Sequence, residues 1–169
     1  MRTLLPAALC RRPRSRGQAL VEFALVIPIF IVLVVGTFDL GACVFAYNSV
    51  TNAAREGVRL AIVNQSQAAI ENRAISATAI AETEAPNVLV RFYRPGPNAD
   101  PALNPQCSSP IPVGCVAVVS FQTTYRPFTP IIAAIVFPTG VTMNARSVLP
   151  VEYSCPTATI PASSCPKQP

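Results

Sequence analysis

Gly17-Gln18-Ala19-Leu20-Val21-Glu22-Phe23 opens an apolar run that continues to Phe38. Arg11, Arg12, Arg14 and Arg16 stand immediately upstream. The order is a basic block, a lone glycine, a short neutral spacer, one acid, and then about one bilayer's worth of apolar residues. Glu22 is the odd residue, because a carboxylate at the lip of a hydrophobic helix is costly in lipid unless it is paired. Gly17 has no side chain, so the peptide bond after it fits a narrow protease cleft. Cutting there leaves Gln18 as the new N-terminus and Glu22 as the fifth residue of the mature chain.

The charges are arranged as a topology signal. Five of the 13 basic residues, Arg2, Arg11, Arg12, Arg14 and Arg16, precede Glu22, and no acid does. From Val21 onward the remaining basic residues are matched in number by the acids, so the net charge of +5 is no sign of nucleic-acid binding. By the positive-inside rule the arginine end stays in the cytoplasm and the body is exported. The cysteines agree. Cys10 lies in the leader-like segment and Cys43 in the long helix, whereas Cys107, Cys115, Cys155 and Cys165 all lie in the body. An even number in an exported, loop-rich segment reads as two disulfides. Of the three possible connectivities, Cys107–Cys115 and Cys155–Cys165 close the shortest loops.

Residues 18–63 read as one helix, about 69 Å long at about 1.5 Å per residue. Its second half therefore projects beyond the membrane. Pro28 removes one hydrogen bond and is expected to bend it. Asp39 falls about 26 Å beyond Glu22, which suggests a solvated acid near the outer headgroups. After Tyr47 the helix turns polar. Ala53, Gly57 and Ala61 recur every fourth residue, a flat strip against which another backbone can pack closely. Gly57 costs the helix about 1 kcal/mol relative to alanine, so something should pack on it. Glu56 and Arg59 are spaced to pair.

Residues 67–84 read as a second, amphipathic helix, with Ile70, Ala74, Ala77 and Ile80 near helical spacing, ending before Pro86. Fifteen of the 18 prolines lie from Pro86 on, which favours short strands and rigid turns. Strands are expected at 87–93, 113–126 and 141–153. In the middle one Cys115, Ala117, Val119, Phe121 and Tyr125 share a face, and Ser120, Gln122, Thr124 and Arg126 share the other, the alternation of a half-buried antiparallel strand. Residues 94–112 read as a proline-rich loop. The apolar stretch 131–137 is too short to span a bilayer and is either a packed helical turn or a membrane-dipping loop. The tail, 154–169, reads as loose apart from its cysteines.

The motif Asn52-Ala53-Ala54-Arg55-Glu56-Gly57-Val58-Arg59, following Gly17-Gln18-Ala19-Leu20-Val21-Glu22-Phe23-Ala24 and an apolar helix, resembles the TadE-like family of minor pseudopilins of the tight-adherence (Flp) pilus machinery. The resemblance covers residues 16–63. It implies a pilin-like α+β fold: a long N-terminal transmembrane helix, a second helix and a small antiparallel sheet. It implies a single-pass protein of the bacterial inner membrane, cytoplasmic at its N-terminus and periplasmic at its C-terminus. The expected partners are a prepilin peptidase cutting between Gly17 and Gln18, other pilin and pseudopilin subunits, and the lipid bilayer. Glu22 is the implied helix-registration residue. The alternative is an unprocessed bitopic anchor displaying a small periplasmic binding domain.

The layout that follows is a leader at 1–17, the long helix at 18–63, the amphipathic helix at 64–85, a β-rich exported domain at 86–153 and the tail. The chain contains no histidine, which removes Ser-His-Asp and Cys-His nucleophile pairs. It also has no C-x-x-C, no H-E-x-x-H and no phosphate-cradling glycine loop. No enzyme activity, cofactor, metal, nucleic acid or small-molecule substrate is expected.

Overall fold

The computed structural model describes residues 16–79, 84–135, 137–157 and 159–167. The expected leader up to residue 15, with Cys10 and all but one of its arginines, lies outside them, as does Ile80. The elements run α1 (Arg16–Ala61), α2 (Gln67–Ser76), β1 (Glu84–Tyr93), a 3₁₀ turn (Pro101–Leu103), β2 (Val116–Tyr125), α3 (Pro130–Ile135), β3 (Val141–Pro150) and a second 3₁₀ turn (Ala162–Ser164). This is the α+β, pilin-like arrangement expected: a long apolar helix, a second helix and a three-stranded antiparallel sheet packed against them.

The chain divides into two compact units, one ending at Thr37 and the other Phe38–Pro169. The described part of the first is the N-terminal portion of α1. Leucine, valine, isoleucine and phenylalanine fill it, its side chains are exposed, and Pro28 lies inside the helix. Such a surface suits lipid, and the segment is long and apolar enough to cross a bilayer.

The second unit is built on the rest of α1. Val50, Ala53, Ala54, Val58 and Ala61 form a buried stripe at helical spacing. The sheet has the order β1-β2-β3. Central strand β2 sends Ala117, Val119, Phe121, Thr123 and Tyr125 to the core. Phe121 is fully buried, which stabilises the fold by roughly 1.5–3 kcal/mol relative to exposure. Ile70 and Ala74 of α2 complete the interior.

Several element ends differ from the sequence reading, α1 stopping at Ala61 and β1 starting at Glu84 among them. The second helix stops at Ser76 instead of continuing to residue 84, and Glu84 already belongs to β1. The Ser76 and Thr78 hydroxyls donate to the carbonyls of Arg73 and Ile75, and the Ala79 N–H donates to Ser49 Oγ at 2.8 Å. These local side-chain bonds compete with further helix. Strand β2 starts at Val116, after Gly114 at φ +92° has turned the chain. Strand β3 ends at Pro150, beyond which Val151 N–H donates to Cys115 O and the N–H groups of Glu152 and Tyr153 donate to Ile62 O, drawing the chain toward the end of α1. Pro86, which cannot donate to a ladder, sits where the β1 register shifts between Glu84 and Asn87.

Candidate functional site

At the start of α1, Gly17 is exposed, and a β-carbon built on it would meet nothing within 4 Å. Nothing among the described residues therefore requires a glycine there. One turn on, Gln18 Nε2 donates to Glu22 Oε1 at 3.4 Å. The spacing of four residues places residue 18 over the carboxylate.

Ala53, Gly57 and Ala61 of the small strip are buried within this chain. A β-carbon on Gly57 would lie 3.1 Å from Ala74 Cβ, 3.1 Å from Val119 Cγ1 and 3.8 Å from Ile70 Cγ2. The close approach that glycine permits is that of α2 and β2. Glu56 seals the margin: Arg59 Nη1 reaches its Oε1 at 2.8 Å, and Arg73 Nη2 of α2 reaches its Oε2 at 3.1 Å. The first pair was legible from spacing, whereas the second needed the fold.

Cys107 is joined to Cys115 and Cys155 to Cys165, with Cα–Cα distances of 6.6 and 5.9 Å. Cys43 is free. The tail is held more tightly than its composition suggests. Gln65 and Cys155 exchange hydrogen bonds, each backbone N–H serving an oxygen of the other residue. Gln65 Nε2 also donates to Tyr153 O at 2.7 Å and Ala61 O at 3.1 Å. Nothing in the sequence pattern marked Gln65 as the clasp.

Asp39 is not the solvated acid its position suggested. It is 8% exposed, and its Oδ2 has no hydrogen-bond partner among the described residues. The buried Thr123 and Tyr125 hydroxyls are likewise unpartnered among those residues. Burial, and then the nearby Asp39 and Cys43, push the Tyr125 phenol above its ordinary value. Cys43, half-buried, packs against the core cluster to which Tyr125 belongs.

The outer face of the sheet carries a shallow groove of ≈ 340 Å³ lined by Asn87, Leu89, Ser120, Gln122, Asn144 and Arg146. Its guanidinium is engaged by Asp100 Oδ1 at 2.6 Å, which ties the loop after β1 to β3. The groove lining has no carboxylate or thiol to act as base or nucleophile. No group of three or more potential metal-binding side chains occurs among the described residues.

The model of the TadE-like protein family matches residues 17–59, a segment that holds Gly17, Gln18 and Glu22 at one end and Ala53 and Gly57 at the other. No curated protein and no solved structure matches the chain.

Proposed function

We propose that this chain, TadE-like over residues 17–59, is a single-pass inner-membrane pseudopilin that takes part in assembling a tight-adherence pilus once its leader is removed. The family is pilin-type and pilus-associated, not an enzyme family. The observation that carries the proposal is the order of parts in α1: an exposed glycine with no packing role among the described residues, Glu22 five residues on, and an apolar helix followed by a folded domain. In this reading a prepilin peptidase cuts between Gly17 and Gln18. The helix then leaves the bilayer sideways into a bundle of pilin and pseudopilin helices, its N-terminus on the cytoplasmic side and its sheet in the periplasm.

Several features support it. The exposed apolar surface of α1 continues past the first unit through Leu40, Val44, Phe45 and Tyr47. That leaves a helix face for lipid or neighbouring helices on the side away from the sheet. Two disulfides in the body fit an oxidising compartment. Mass spectrometry of the protein extracted from membranes tests the proposal. A chain beginning at Gln18 is expected. A chain that keeps Arg11 and Arg16 would make the protein an uncut anchor displaying its domain.

A further inference from the structure

We infer that Glu22 keeps the new N-terminus of the cut chain open, by holding the Gln18 carboxamide away from the α-amino group that would otherwise close on it. The inference rests on the reading above that the chain is cut after Gly17.

The first observation is the residue that the cut exposes. A glutamine with a free α-amino group can react with itself. The neutral amine nitrogen attacks the side-chain carbon Cδ, an N–Cδ bond forms and the Cδ–Nε2 bond breaks. The amine proton leaves with Nε2 as ammonia. The product is a five-membered lactam, reached without a second reagent. Its nitrogen is an amide nitrogen and carries no charge. The loss matters in this chain, because the next basic residue after Gln18 is Arg55. A closed ring would leave Glu22 without a cation on its own stretch of helix, and an unpaired carboxylate is costly in lipid.

The second observation is where the carboxamide lies. Gln18 Nε2 donates to Glu22 Oε1 at 3.4 Å, across four residues. That reach is about 6 Å toward the C-terminus at about 1.5 Å per residue. Ring closure needs Cδ at bonding distance from the residue's own backbone nitrogen, so the side chain must fold back the other way. Cδ is bonded to Nε2, and one conformation therefore excludes the other. Glu22 has no competitor for the carboxamide along the helix: from Ala19 to Gly36 it is the one side chain that can accept a hydrogen bond. An ionised acceptor makes the stronger bond, and surroundings of low dielectric strengthen it further. The bond uses Oε1, which leaves Oε2 for the amine. Glu22 is thus a positioning residue for the N-terminus as well as the carboxylate that the N-terminus can meet.

Intact-mass spectrometry tests this on cell-processed, full-length protein held in phosphatidylethanolamine/phosphatidylglycerol vesicles at neutral pH. Closed chains are lighter by one ammonia, and chains beginning at Gln18 are the ones scored over time. The wild type is expected to stay open. Glu22→Leu removes the acceptor and should close several-fold faster; Glu22→Ala serves as a second variant lacking it, should the first escape cutting. Glu22→Gln keeps a carbonyl acceptor without the charge and should close at a rate near that of the wild type. The comparison is repeated about two units above the amine's reference pKa of about 8, where the amine is neutral in every chain. There the gap between wild type and Glu22→Leu should persist. Closure of Glu22→Leu and Glu22→Ala as slow as that of the wild type overturns the inference, as does wild type already closed on extraction. Glu22→Gln closing as fast as Glu22→Leu, or a gap that vanishes at high pH, overturns it in favour of the carboxylate merely keeping the amine protonated. Wild type that keeps Gly17 overturns the cut and this inference together.

Discussion

Val119 Cγ1 of β2 lies 3.1 Å from the point where a β-carbon on Gly57 of α1 would stand. The chain's own sheet has filled the notch that glycine leaves. Gly57→Leu is therefore expected to loosen the domain itself. Forcing side-chain carbons into a packed seam typically costs about 1–3 kcal/mol, sometimes more, which for a chain of this size lowers the melting midpoint by several degrees. Gly41 has open space around it, so Gly41→Leu should leave the midpoint in place. Thermal unfolding of both full-length variants in detergent, followed by circular dichroism, checks the pair. Equal midpoints would show that the seam is not a packing constraint.

The disulfides lead to a second expectation. Cys155 is fully buried and Cys165 nearly so, and the bridge between them backs the bonds that Gln65 makes to Cys155. Alkylation of the cleaved protein under denaturing, non-reducing conditions should modify Cys43 alone. Cys155→Ser should free Cys165 for labelling and lower stability by about 2–4 kcal/mol. It should also expose the tail to proteolysis, because Gln65 then holds it without the covalent tie. Labelling of Cys107 or Cys115 in the unreduced wild type would contradict this.

Asp100 gives a local pH dependence. Its carboxyl is held below the ordinary value of 3.8, first by the hydrogen bond from Arg146 and then by the backbone N–H of Ala102. A carboxyl lowered in the folded state favours that state above its unfolded value, and the contribution disappears as pH falls through the folded value. The pair is exposed, so global stability should barely respond. What should respond is the 3₁₀ turn Pro101–Leu103. Protection of the Ala102 and Leu103 amides, taken relative to the unstructured exchange rate at each pH, should hold down to mildly acidic pH and fall below the ordinary aspartate range. Asp100→Asn should show reduced protection throughout. Wild-type protection that does not change across that range would remove the tie.

How much of this was legible in the sequence depends on the range of the forces involved. The apolar run of α1, the alternation in β2 and the glycine before Glu22 are local patterns, and a pattern carries its own period. Cysteine pairing was accessible because loop closure favours near neighbours. Asp39 was misread because its position along the helix axis says nothing about the burial that the fold imposes on it. The spacing of Ala53, Gly57 and Ala61 marks a strip of small residues, but spacing cannot tell an internal partner such as Val119 and Ala74 from an external one. Residues 77–79 look helical by composition, and the hydroxyls of Ser49, Ser76 and Thr78 decide otherwise through bonds that no periodicity records.

Processing should depend on the volume of residue 17 and on little else. A β-carbon at Gly17 would meet nothing within 4 Å among the described residues, so enlarging it should leave their fold untouched. Gly17→Ala is expected to slow the cut and Gly17→Val to abolish it, with extraction from membranes and the circular dichroism spectrum unchanged. A normal shift in gel mobility for Gly17→Val would place the cut elsewhere or nowhere.

Glu22 is the residue expected to couple this helix to its neighbours. Gln18 Nε2 donates to Glu22 Oε1, so the helix holds residue 18 within reach of the carboxylate. The proposed cleavage after Gly17 would put a positive α-amino group on Gln18, with a reference pKa near 8. That amine can meet Glu22 of its own helix or, in a staggered bundle, Glu22 of the next one. Either partner lowers the cost of a carboxylate in a medium of low dielectric, and leaving it unpaired would be strongly destabilising. Because the amine exists only after the cut, Glu22→Gln should leave cleavage nearly intact. It should, however, reduce co-purification with partner pilins and the number of pili per cell. N-terminal sequencing of the variant, together with pili counted by microscopy, separates the two steps. Wild-type pilus numbers on cells making only cleaved Glu22→Gln protein would take Glu22 out of assembly.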